Sequence, residues 1–137
     1  MNPSISVITL GVDDLKRALA FYQEGLGWET NGIVGEDFES SAVAFFKLPS
    51  GLRLALWPRK SIAAEMGVDV DKNANEVLLS HNVSYRSEVD AVMKEAKLAG
   101  ATILHEARDL FWGGYGGFFK DPDGHIWEVT WNPAWTA

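Results

Sequence analysis

The chain has no cysteine, so disulfides, thiolate metal ligands and a thiol nucleophile are excluded. Any chemistry falls to three histidines, the carboxylates and a set of aromatic side chains that includes six tryptophans. Among the carboxylates Glu128 has the most informative setting. It follows the turn Asp121-Pro122-Asp123-Gly124 and sits between Trp127 and Val129. On an alternating strand whose Trp127 and Val129 enter a core, Glu128 projects from the other face with Ile126 and Thr130. There it is the candidate catalytic or ligand-binding carboxylate: a base, a metal ligand, or an acceptor for a ligand's cation or hydroxyl. His81 is the histidine that could join it, and His105 and His125 read as surface residues. His81 and Glu128 with waters could hold Ni, Mn, Zn or Fe, but open sites for such ions draw on three or more protein ligands. No metal or other cofactor is therefore the preferred expectation. Trp57 and Arg53, Trp112 and Tyr115 beside the glycine-rich stretch Gly113–Gly117, and Phe45 and Phe118 would give an aromatic lining with one cationic group, which suits a flat, partly charged organic molecule. That stretch has no Lys-Ser/Thr and leads into a strand, so it is a rim loop and not a phosphate cradle.

The elements that carry these residues occur twice. Phe45-Phe46-Lys47-Leu48-Pro49-Ser50-Gly51 matches Phe118-Phe119-Lys120-Asp121-Pro122-Asp123-Gly124 at a spacing of 73, with Phe, Phe, Lys, Pro and Gly coinciding. Each copy is an apolar run, a Pro-x-Gly turn and a second apolar run (Leu52 to Trp57, Ile126 to Trp131), the pattern of a hairpin. Helix faces precede both. Leu15, Ala18, Leu19 and Tyr22 follow Asp13 or Asp14 as N-cap, with Gly25 or Gly27 as the stop. Val89, Val92, Met93 and Ala96 follow Ser87 as N-cap with Asp90 as its capping-box partner, and end at Gly100. Strands are expected at Ile5 to Val12, Trp28 to Val34 and Ala42 to Leu48 in the first copy. Their counterparts are Val77 to Tyr85, Ala101 to Glu106 and Tyr115 to Lys120. Residues 58–76 form a linker with a short helix from Ser61 to Met66 ended by Gly67.

This order of elements, with Leu10-Gly11-Val12-Asp13-Asp14-Leu15, Ala20-Phe21-Tyr22, Leu26-Gly27 and Phe119–Glu128, resembles the vicinal oxygen chelate superfamily, which includes glyoxalase I, bleomycin-resistance proteins and extradiol dioxygenases. The resemblance implies an α+β fold, tandem βαβββ modules forming a cupped eight-stranded mixed sheet with helices on its outer face. It makes residues 1–137 one domain, with module one at 1–57 and module two at 77–137, and it implies a homodimer. It also implies four inward-facing strand positions that hold a divalent ion in the metal-dependent members, one near the start of the first strand and one on the last strand of each module. Here Val7 and Ala55 fall on two of them and Glu128 on a third. The fourth depends on register. At a spacing of 73 Val7 corresponds to Ser80, which joins the ligand-binding set while His81 faces the helix. At 74, which the helices prefer, Val7 corresponds to His81. The apolar alternation of Leu79, Val83 and Tyr85 favours the former.

Lys and Arg number 12 against 19 Asp and Glu, for a net charge of −7, which disfavours nucleic acid and anionic membranes as partners. No signal segment or membrane span is evident, so a cytoplasmic location is expected. The function expected is capture of a small aromatic or cationic molecule, similar to the bleomycin-resistance type. The alternative is a metal-dependent lyase, isomerase or dioxygenase that uses His81 and Glu128.

Overall fold

A computed structural model describes residues 1–38, 40–73 and 77–135. The chain divides into two units, Met1–Lys72 and Asn73–Ala137. The first contains β1 (Val7–Val12), α1 (Leu15–Ala20) running into a π-helical turn (Phe21–Gly25), β2 (Ile33–Val34), β3 (Val43–Lys47), β4 (Arg53–Pro58) and α2 (Arg59–Met66). The second contains β5 (Leu78–Val83), α3 (Arg86–Ala99), β6 (Thr102–Asp109), β7 (Tyr115–Lys120) and β8 (Ile126–Trp131). The eight strands form two four-stranded mixed sheets, ordered β1-β4-β3-β2 and β5-β8-β7-β6. In each, the first strand pairs in parallel with the last and the remaining ladders are antiparallel.

Each sheet has one apolar face because its strands alternate. In the first unit Leu10, Val12, Ala44, Phe46, Leu54 and Leu56 are buried with Leu15, Ala18, Phe21 and Tyr22 of the helix. The π-helical turn explains how Phe21 and Tyr22, adjacent in sequence, are both buried. Leu26 N–H reaches back to Phe21 O and Trp28 N–H to Tyr22 O, each at 2.9 Å, which widens the last turn. Trp28 then packs with Tyr22 and Phe46, at ring separations of 5.4 and 5.8 Å. Its place in that core is why the strand expected from Trp28 shortens to Ile33–Val34. In the second unit Val89, Met93 and Ala96 of α3 are buried with Phe119, Trp127 and Val129, and the Phe119 and Trp127 rings lie 9° from parallel.

The two hairpin turns close alike. Leu48 N–H donates to Leu52 O, and Asp121 N–H to His125 O, both at 2.9 Å. In the second copy Asp121 Oδ1 also accepts from Asp123 N–H at 2.9 Å and His125 N–H at 2.8 Å. Gly51 at φ 95° and Gly124 at φ 88° supply the left-handed residue each turn needs.

Of the two expected helix caps, one forms and one does not. Asp14 caps α1, its Oδ1 accepting from Arg17 N–H at 3.1 Å. Ser87, however, lies inside α3, which starts at Arg86 after an extended Tyr85 that makes no side-chain cap. Asp90, the expected capping-box partner, accepts instead from the Tyr115 hydroxyl at 2.6 Å. The helix expected in the linker begins at Arg59 and packs on β1 and β4 of the first unit. Arg59, only 7% exposed, donates to Asp13 Oδ1 at 2.8 Å, and Lys72 lies 3.2 Å from the other oxygen. No helix among the described residues is long and apolar enough to cross a membrane.

Candidate functional site

On the face of the first sheet away from α1, Val7 stands opposite Arg53, Thr9 opposite Ala55, and Phe45 opposite Ala55 on the other side. Trp57 follows two residues along β4 and shares that face. Its indole N–H donates to Ser40 O at 2.9 Å, so the ring is held in place. Thr30 Oγ1 donates to Phe45 O at 2.6 Å, which ties the segment before β2 to β3. α2 crosses one end of this face. A side chain at Gly11 would meet Arg59 Cγ at 3.0 Å, so glycine there allows the helix to approach the strand.

Two adjoining hollows occupy the face. One, of about 440 Å³, lies among Thr9, Val43, Phe45, Ala55, Trp57 and Glu65 of α2. The other, of about 510 Å³, lies among Val7, Asn31, Val34, Phe45 and Arg53. Phe45 borders both, so together they make a trough floored by Phe45 and Trp57, with Glu65 toward one end and Arg53 toward the other. Each hollow has the volume of a small-molecule site. Arg53, Trp57 and Phe45, picked out in the sequence, come together here. Glu65 was missed, because it lies on a segment read as a linker whose packing over Gly11 has no local sequence signal.

On the second sheet Ser80 and Glu128 are direct partners, and Ser80 Oγ donates to Glu128 Oε1 at 3.0 Å. Phe118 is opposite Glu128 on β7, and His105 opposite Phe118 on β6. Ser80, Glu128 and Phe118 are thus brought onto one face, and His105, read as a plain surface histidine, shares it. His81 pairs with Val129 and alternates with Leu79 and Val83, so it belongs to the other face, beside α3. Tyr115 is also on that other face. Its hydroxyl reaches Asp90 of α3, and the Arg86 guanidinium, paired with Asp109 at 2.6 Å, lies 4.0 Å over its ring. The bond to Asp90 and burial raise its pKa above the ordinary tyrosine value. Tyr115 is therefore not a neighbour of Glu128, contrary to its expected place in the lining. Trp112 folds over Gly114, where any Cβ would strike its ring, and remains half exposed in the turn between β6 and β7.

Strand pairing corrects the equivalences read from the repeat. Val7 pairs with Arg53 as Leu78 pairs with Ile126, and Arg53 and Ile126 are matched residues of the repeat. The counterpart of Val7 is therefore Leu78, and neither Ser80 nor His81. By the same ladder Thr9–Ala55 is the counterpart of Ser80–Glu128. The four strand positions then carry Val7, Ala55, Leu78 and Glu128, of which one has a donor atom. Among the described residues no three His, Asp or Glu side chains converge as a metal cluster.

A family model described as the glyoxalase/bleomycin resistance protein/dioxygenase superfamily matches residues 4–129. Among solved structures, the chain is similar to a glyoxalase-related enzyme from Fulvimarina pelagi, at 36% identity, 96% of this chain and 90% of that one, with a TM-score of 0.84. A glyoxalase/bleomycin resistance protein/dioxygenase from Nocardioides shares the fold at 24% identity, 96% and 84% coverage and a TM-score of 0.76. So does a lactoylglutathione lyase from Agrobacterium tumefaciens, at 22% identity, 98% coverage of both chains and a TM-score of 0.68. No curated protein matches the chain.

Proposed function

The chain belongs to the glyoxalase/bleomycin resistance protein/dioxygenase superfamily, and from that premise we propose that it binds a small, flat organic molecule in the trough of its first sheet without a complete metal centre. The observation that carries this reading is the trough itself, with two aromatic residues, Phe45 and Trp57, on its floor and a charged side chain toward each end. Aromatic floors hold planar ligands by stacking, and the charged groups orient them. On the second sheet, considered by itself, Glu128 accepts from Ser80 and is a separate candidate acceptor for a hydroxyl or cation.

A metal-dependent lyase, isomerase or dioxygenase would need donors where this chain has Val7, Ala55 and Leu78. His81 does not supply one beside Glu128, since the two belong to opposite faces of their sheet. The residues present do not fit the ion.

Titration calorimetry with 4-(aminomethyl)biphenyl, an aromatic cation built of two flat rings, tests the reading. Saturable one-to-one binding is expected, weakened about tenfold in Trp57→Ala through loss of the stacking surface. Absence of binding would overturn the reading. So would stoichiometric Ni, Mn, Zn or Fe in protein purified without chelator and lost in Glu128→Gln.

A further inference from the structure

Arg53 and Glu65 face the same trough from opposite ends, and neither side chain has an ion-pair or hydrogen-bond partner among the described residues. Unpaired charges bordering an aromatic floor are groups whose partners a ligand can provide, and their opposite signs call for opposite charges on it. Arg53 and Trp57 are four residues apart on one strand, which sets the charged end about 13 Å from the Trp57 end, where Glu65 lies. Both side chains are long enough to extend over the floor, which would bring their charged groups to the span of two aromatic rings with a substituent at each end.

Resting on the trough as the binding site, we infer that its ligand is a zwitterion: an elongated aromatic molecule with an anionic group, such as a carboxylate, at the Arg53 end and a cationic amine at the Glu65 end. Arg53 takes the carboxylate through its forked donors. Glu65 accepts from the ammonium, and Phe45 and Trp57 stack against the rings between them. Charges at both ends also fix the direction in which the ligand lies, which an aromatic floor alone leaves open.

The test compares 4′-(aminomethyl)biphenyl-4-carboxylate with its two single-ended analogues, 4-(aminomethyl)biphenyl and biphenyl-4-carboxylate, by calorimetry at fixed ionic strength. The zwitterion is expected to bind about fivefold tighter than either analogue, the scale of one solvent-accessible ion pair. Arg53→Met should abolish the advantage of the zwitterion over the cation. Glu65→Gln should abolish its advantage over the anion. Both residues are exposed on the surface, and thermal unfolding of each variant verifies its fold. Equal binding of the three probes, or a ranking unmoved by both substitutions, would overturn the zwitterion while leaving Trp57-dependent binding intact. Failure of all three probes to bind would overturn the trough as a site along with it.

Discussion

Asp13 and Tyr115 carry opposite pH signatures. Hydrogen bonds from Arg59 and Lys72 lower the Asp13 pKa below its ordinary value. A carboxyl depressed in the folded state stabilises the protein above about pH 4 and loses that contribution as pH falls through the folded value. Asp13→Asn should therefore lower the melting temperature at neutral pH and flatten its decline between about pH 6 and pH 3, as thermal unfolding across that range would register. For Tyr115 the sign reverses. Its raised pKa means the neutral phenol is preferred when folded, so its contribution is present below about pH 10 and lost as pH rises beyond. Tyr115→Phe should melt lower at pH 8 but lose less on going to about pH 11. At this scale the sequence was informative wherever alternation alone assigns a face. Glu128 between Trp127 and Val129, and Arg53, Ala55 and Trp57 along one strand, were legible in that way. His81 was ambiguous because the helix repeat and the strand repeat imply different spacings, and the ladder departs from both.

At the scale of elements, the ambiguity has a definite origin. The first strands of the two units correspond at a spacing of 71, and their last strands at 73. α1 and α3 also start 71 apart, at Leu15 and Arg86, yet their buried faces start at Leu15 and Val89. An extra turn at the start of α3 accounts for that difference, since a helix face recurs every three to four residues. The shift of two between first and last strands preserves alternation, so every residue keeps its face even though its partner changes. Helices, hairpins and their Pro-x-Gly turns were therefore readable from spacing, whereas ladder register and the packing of α2 depend on distant parts of the chain. The close contact of α3 with the bulged β6 is another such long-range fact. A Cβ on Gly117 would lie 2.9 Å from His105 O and 3.1 Å from Ala107 N, both backbone atoms, and 2.9 Å from Met93 Cε. Gly117→Ala should cost about 1–3 kcal/mol in a urea unfolding experiment, because the backbone of β6 cannot yield as a side-chain tip does.

For the whole molecule, a net charge of −7 and a single donor among four strand positions have separable consequences. Prolonged dialysis against EDTA is expected to leave both the melting temperature and biphenyl binding unchanged, as differential scanning fluorimetry and calorimetry would report. A drop in either would mean that an ion contributes to the fold or the trough. The topology also bears on how the protein is made. β1 cannot pair until β4 has been synthesised, and β5 must wait for β8. On the ribosome, the N-terminal sheet has all its strands once Pro58 has emerged, whereas the C-terminal sheet lacks its second-position strand until Trp131 is out. During that interval β5 has no ladder partner and β7 carries an open edge, the kind of exposed backbone on which non-native pairing starts.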